Sequence, residues 1–326
     1  MKKVSLPADD AFLTDELAQW WYWTGHLKTK CGKNFGFELC FFAVDADASH
    51  LFELIAHKIH GNQVPHDLLT VQMMNAAITD IDNNKFYSRV DYLPGPPKVI
   101  ENGFSLENIF KNCRATGGDG NDKLTSKVNQ FELSLDVKSQ KPAVVHYQGD
   151  KYDYTFGGYT YYYSRESMVA DGSLTIAGTE YEVEGEVWFD RQYGDLLQAC
   201  FLVGWQWFAI QLDDNTQIMV FAYHSEADQM ASITDSAGNT TQYSPSEFAV
   251  EILQWWKSPH TGKNYPAKWK IQIADYELTI TPQVQDQELH EAWLFPKYWE
   301  GACTVEGNQT GSAYVELVGY KRKHWL

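Results

Sequence analysis

The run Tyr181–Gly194, YEVEGEVWFDRQYG, constrains the fold more than any other stretch of the chain. Tyr181, Val183, Val187 and Phe189 alternate with Glu182, Glu184, Glu186, Trp188 and Asp190, and Gly185 falls on the apolar side. A period of two belongs to a β-strand with one face on a core. The odd positions are therefore expected inside. The even face begins as three glutamates and ends in Trp188 and Asp190. A carboxylate beside an indole predicts that this end of the strand leaves plain solvent. Desolvation disfavours the charged form of a half-buried aspartate and raises its pKa, which makes Asp190 a candidate proton donor. The same residues also fit a solvated edge strand that turns at Arg191 and Gly194.

Much of the rest also reads as strands. Gln19–Leu27 carries four consecutive aromatics, and with Phe35–Val44 it makes a hairpin around the loop Lys28–Asn34. Glu38, the one charge in the second arm, either points to water or is paired in a buried site. Tyr159–Ser164 places Tyr159, Tyr161 and Tyr163 on one face. Further strands are expected at Gly172–Ile176, Gly204–Asp213, Gln217–Tyr223, Lys268–Ala274, Glu277–Pro282, Gly301–Glu306 and Ala313–Tyr320. Short turns between them predict an all-β antiparallel barrel or sandwich. Leu68–Ile81 allows helix or strand, with its Met and Ala favouring helix. Glu101–Lys111 suggests a short helix capped by Ser105, and Lys127–Val137 a strand. The segment up to Asp15 reads as a polar arm. Gly149–Tyr159 marks the expected boundary, giving units of residues 1–165 and 166–326. A weak echo relates WWYWTGHL and FGFELCFFAV to EVWFDRQYG and GWQWFAIQLDD, as if two related barrels followed each other.

Net charge is −17, which argues against a nucleic-acid backbone or an anionic membrane as partner. No apolar run reaches the length of a membrane span. Met1-Lys2-Lys3 leads into VSLPADDAF without the apolar centre of a signal peptide, so a cytoplasmic setting is expected unless a leader has been trimmed. The five cysteines are scattered with no CxxC, giving neither a disulfide framework nor a zinc knuckle. His50, His57, His60 and His66 cluster, but no nearby carboxylate or cysteine completes a metal set, and surface histidines are the favoured reading. Gly117-Gly118-Asp119-Gly120 lacks the setting of a phosphate cradle, and no G-x-S-x-G occurs. No cofactor is expected. The 12 Trp, 19 Tyr and 17 Phe suit walls around a flat or greasy ligand, while aromatics are also good strand residues.

The runs QWWYWTGHL, FGFELCFF, AAITD, YYYSRESM, VEGEVWFDRQYG and GWQWFAIQLDD, with WWKSPHTGKNYPAKW, DQEL, YWEGACTVEG and GSAYVELVGY, extend over nearly the whole chain. In this order they resemble the AttH-like/carotenoid 1,2-hydratase (hydroxyneurosporene synthase) family. The resemblance implies two tandem lipocalin-like antiparallel β-barrels with a ligand cleft in or between them. It implies a lipophilic isoprenoid or polyketide partner and chemistry such as adding water across an isolated alkene. Related fungal proteins act as intramolecular Diels–Alderases, and some members are carriers, so those readings stand as alternatives. The family's proton-donating aspartate falls on Asp190, with Trp188 in place of a tyrosine. Its His/Trp pair falls near Tyr161 and Tyr163, so the histidine is missing there, and Gln19 stands where relatives have Glu. Alkene protonation needs a carboxylic acid kept neutral by burial and aromatic faces for the cation. Asp190 is accordingly the expected catalytic residue, and Trp188, Tyr161, Tyr163, Trp205, Trp207, Trp21 and Trp23 the expected substrate wall. Glu300 and Glu316 either face the cleft or form a structural pair.

Overall fold

The alternation around Val187 resolves into a strand from Thr179 to Asp195 whose Val183, Val187 and Phe189 enter a core while Glu182 and Glu184 stay exposed. The structure is a computed structural model that describes residues 2–45 and 70–321; His50, His57, His60 and His66 lie outside them. The first sheet is built from β1 (Ala18–Thr29), β2 (Asn34–Asp45), β3 (Thr70–Asp80), β4 (Lys85–Pro94), β5 (Phe104–Glu107) and β6 (Cys113–Gly118). To these it adds β7 (Asn121–Lys127), β8 (Phe131–Ser139), β9 (Val144–Val145), β10 (Tyr152–Asp153), β11 (Tyr159–Ile176) and β12 (Thr179–Asp195). Its order is β4-β3-β2-β1-β12-β11-β8-β7-β6-β5, with β9 and β10 paired to β11.

The second sheet holds β13 (Trp205–Leu212), β14 (Gln217–Tyr223), β15 (Met230–Thr234), β16 (Thr240–Tyr243) and β17 (Phe248–Lys257). It is completed by β18 (Asn264–Ile273), β19 (Tyr276–Pro282), β20 (Glu288–Leu289), β21 (Tyr298–Gly307) and β22 (Gly311–Val318). The order here is β16-β15-β14-β13-β22-β21-β19-β18-β17, with β20 on β21. Every pairing is antiparallel, and each sheet curls into a half-barrel, giving the tandem lipocalin-like arrangement. One core fills the inside of each sheet, around Phe37 and Phe189 in the first and Ile210 and Trp269 in the second. A third apolar layer, with Trp20, Trp188, Trp207 and Tyr314, lies where the two sheets press together.

The hairpin of β1 and β2 forms as expected, with Glu38 buried and paired. Of the stretch read as Leu68–Ile81, the described residues are not helical: Thr70–Asp80 forms β3, whose Met74, Ala76 and Ile78 face the first core while the opposite face is also covered. A strand buried on both sides reads as a continuous apolar run, which hides its period. Glu101–Lys111 forms β5 in place of a helix, because Phe104 and Leu106 alternate into the core. Lys127–Val137 is interrupted by a turn between β7 and β8. β11 runs through residue 165 without a break, and the chain changes sheets between Asp195 and Trp205. The echo does not make a second hairpin, since β12 lies inside the first sheet and β13 inside the second.

The sheets approach closely at Gly36, where an added Cβ would stand 2.7 Å from the Ala302 Cβ and 3.4 Å from a Tyr314 ring carbon. Gly36→Ala is expected to push the sheets apart locally and cost about 1–3 kcal/mol, as overpacked cores do. A denaturant midpoint unchanged from the parent would show that this contact gives way freely.

Candidate functional site

Cross-strand register sets two rows of side chains facing each other across the layer between the sheets. In the first sheet Tyr22 of β1 pairs with Asp190 of β12, which pairs with Ser164 of β11. In the second, Trp207 of β13 pairs with Glu316 of β22, which pairs with Glu300 of β21. The rows are stitched together by the Trp207 indole donating to the Tyr162 hydroxyl at 3.2 Å and by the Tyr22 hydroxyl donating to Glu300. Tyr298 donates to Glu38 at 2.9 Å.

Asp190 is held by three donors. Its Oδ1 accepts the Trp188 indole N–H at 2.7 Å and the Ser164 hydroxyl at 2.5 Å, and its Oδ2 accepts the Tyr162 hydroxyl at 2.5 Å. Burial pushes its carboxyl up to about 6, against the pull of those three donors. Below Ser164 lies His146, whose Nε2 is 2.9 Å from the Ser164 Oγ and whose ring sits 4.1 Å from that of Tyr162. Because the Ser164 hydroxyl already donates to Asp190, Nε2 must carry the proton and donate. Burial lowers the His146 pKa to about 3, so the imidazole is neutral. It orients the serine hydroxyl and adds no charge.

A small cavity of about 20 Å3 lies between the rows, bounded by Asp190, Glu316, Trp20, Trp205, Trp207 and Phe221. That is the scale of a single water, far below the ~300–1,000 Å3 of ligand sites. Occupation by a larger molecule requires the aromatic side chains to rotate or the rows to part. A hollow of about 540 Å3 beside Phe201, His260 and Tyr320 is larger but holds none of these acids. Among the described residues no group of three His, Cys, Asp or Glu is arranged to hold a metal ion, and all five cysteines are unpaired. No helix among them is long and apolar enough to cross a membrane.

The family model described as AttH-like matches residues 1–320. The chain belongs to the AttH-like family. Similar solved structures include a putative AttH from Nitrosomonas europaea, 24% identical with a TM-score of 0.79 over 98% of each chain. Kievitone hydratase from Nectria haematococca is 16% identical, with a TM-score of 0.73 over 97% of this chain and 93% of its own. CghA, solved with Sch210972, is 10% identical, with a TM-score of 0.54 over 94% of this chain and 90% of its own. At these identities the likeness is one of fold. A search of curated proteins gives no significant match.

Of the expected residues in this AttH-like chain, the structure brings together Asp190, Trp188, Trp205 and Trp207. Tyr161, Tyr163, Trp21 and Trp23 are not with them: all four point into the core of the first sheet. There Tyr163 donates to Asp10, Trp21 donates to the Asp10 carbonyl at 2.8 Å, and Trp23 donates to Asp122 at 3.0 Å. On both strands the side chains one position away, Trp20, Tyr22, Tyr162 and Ser164, face the layer. Gln19 also serves the first core, accepting from Arg191 at 2.8 Å. His146, which reaches Ser164 from a turn, carries no sequence signal linking it to Asp190. Glu300 and Glu316 both face the layer.

The layer is unusually rich in buried acids. Burial pushes Glu38 up to about 7 and both Glu166 and Glu316 up to about 8, and raises Glu300 strongly. Each therefore binds its proton more tightly in the folded state than at the ordinary 4.5. Their contribution to stability is complete below that value and is lost as pH rises through about 7 to about 8. Melting temperature is expected to fall across this window, with a shallower fall in Glu166→Gln; a melting point flat in pH would contradict the burial of these acids.

Proposed function

We propose that this AttH-like protein is a cofactor-independent enzyme acting on a lipophilic isoprenoid or polyketide between its two sheets. The reaction is acid–base assisted hydration or cyclisation of an alkene. The observation that carries this reading is Asp190: a buried carboxyl on three donors, opening onto a cavity walled by Trp20, Trp205, Trp207 and Phe221. Such walls stabilise a developing carbocation through the negative faces of their rings. A carboxyl titrating near neutrality can exchange a proton with substrate or water. A carrier would need only the apolar wall, and a pericyclase only a shaped cavity with a donor or two. Neither requires several acids held at the desolvation cost seen here. The kievitone hydratase of the same fold supports a hydration assay as the first choice.

The test is incubation of the purified protein with kievitone, geraniol and geranylgeraniol in oxygen-labelled water. A product heavier by one labelled water, or an isomer formed by ring closure, supports the reading. Unchanged substrates, together with no lipophile retained in native mass spectrometry, would overturn it.

A further inference from the structure

Two carboxyl groups reach the same cavity from opposite sheets, Asp190 from β12 and Glu316 from β22. They differ in how they are held. Asp190 accepts three hydrogen bonds, whereas the only donor to Glu316 among the described residues is the Trp205 indole, 2.8 Å from Oε2. Donors to a carboxylate favour its charged form, so Asp190 is built to be an anion and Glu316 to keep its proton. Glu316 retains partial accessible surface and lines the cavity.

We propose that Glu316 is a second catalytic residue, the acid that protonates the alkene, and that Asp190 is the base that takes a proton from water. The assignment rests on the hydration reading above, reverses the proton-donor role that the family resemblance gives Asp190 because three donors hold its charged form, and gives the two proton transfers to different sheets. The Glu316 O–H proton passes to the alkene carbon, the π bond supplies the electron pair of the new C–H bond, and a tertiary cation forms. A water oxygen then bonds to the cation while one of its protons passes to the Asp190 carboxylate. Glu316 ends as the anion and Asp190 as the acid. One proton returned from Asp190 to Glu316 through solvent, as the alcohol departs, restores the starting state. No external oxidant or reductant enters.

The surroundings agree with this division. The ionisable groups that interact with Glu316 are acids, neutral phenols or neutral thiols: Glu38 on β2, Glu300 on β21, Asp190 on β12, Tyr22 and Tyr298, and Cys40 and Cys200. Asp190 has Tyr162, Ser164 and Trp188 in contact, with Glu166 and Glu316 as the acids coupled to it. Burial, with Glu38 and Asp190, pushes Glu316 up to about 8, while Asp190 reaches about 6. Between those values one is protonated and the other is not, the separation that marks an acid and base pair.

The proposal can be tested without a known substrate. In protein labelled with carbon-13 at glutamate and aspartate carboxyls, one glutamate signal is expected to titrate near 8, to vanish in Glu316→Gln and to move to lower pH in Asp190→Asn. Titration of that signal in the ordinary range near ~4.3 would overturn the proposal. With geraniol as the probe alkene, Glu316→Gln is expected to lower hydration about 100-fold or more while binding is kept, and Glu316→Asp to recover part of the rate. An Asp190→Asn protein that is dead beside a fully active Glu316→Gln protein overturns the role of Glu316 and leaves the Asp190 reading standing. If neither substitution alters turnover, the hydration reading fails and takes this proposal with it.

Discussion

Asp190→Asn is expected to lower turnover by about 10²–10⁴-fold while leaving ligand affinity nearly unchanged. The substitution keeps the size of the side chain but replaces Oδ2 or Oδ1 with an NH2 group. One of Tyr162, Ser164 and Trp188, all of which donate to the carboxylate, must then turn away. The amide also cannot take a proton from water. Rates on the active alkene, paired with a binding titration, check the expectation. Equal loss of rate and affinity would show that Asp190 anchors the ligand without proton transfer, and unchanged rates would remove it from the chemistry. In the parent protein the rate is expected to climb as Asp190 ionises through about 6 and to fall as Glu316 ionises through about 8. A bell between those limbs is the signature of one base and one acid, and each variant should lose its own limb.

Asp10→Ala is expected to destabilise the fold by about 3–5 kcal/mol, a large part of the ~5–15 kcal/mol that holds a typical protein folded. Asp10 is fully buried at the end of the N-terminal arm and binds Arg165 through both carboxylate oxygens, at 2.9 and 3.0 Å. It also accepts the Asp119 amide at 2.7 Å and the Tyr163 hydroxyl. Truncation leaves the Arg165 guanidinium buried, with Asp122 as the other acid acting on it. The neighbouring Asp9 accepts from Tyr193 at 2.6 Å, so the arm closes the open end of the first core. The denaturant midpoint measures the effect. A loss below about 1 kcal/mol would mean that Asp122 takes over the charge.

The catalytic reading and the stability reading meet on β11. Tyr163 and Arg165 point inward to Asp10, and Tyr162 and Ser164 point outward to Asp190. One strand thus secures the first core with one face and forms the candidate site with the other. A single-residue slip of β11 would exchange the two sets.

How far these features were legible in the sequence depends on contrast between the faces of a strand. Along β12 the inward set was readable because Glu182 and Glu184 meet water while Val183, Val187 and Phe189 do not. β8 was readable for the same reason, with Leu133, Leu135 and Val137 buried against Glu132, Asp136 and Lys138 exposed. The hairpin of β1 and β2, the all-β class and the family motifs also follow from local pattern. Along Trp20–Trp23 and Tyr161–Ser164 both faces are buried, so no polar–apolar alternation marks which aromatics look into the layer. Only the packing of the second sheet on the first decides that Trp20, Tyr22 and Tyr162 line it and that Trp21, Trp23, Tyr161 and Tyr163 do not. The pairing of Tyr22 with Glu300 and the placing of Glu316 opposite Asp190 are likewise tertiary decisions. Local sequence specifies the period of a strand, but the acidity of a side chain depends on what a distant part of the chain lays over it.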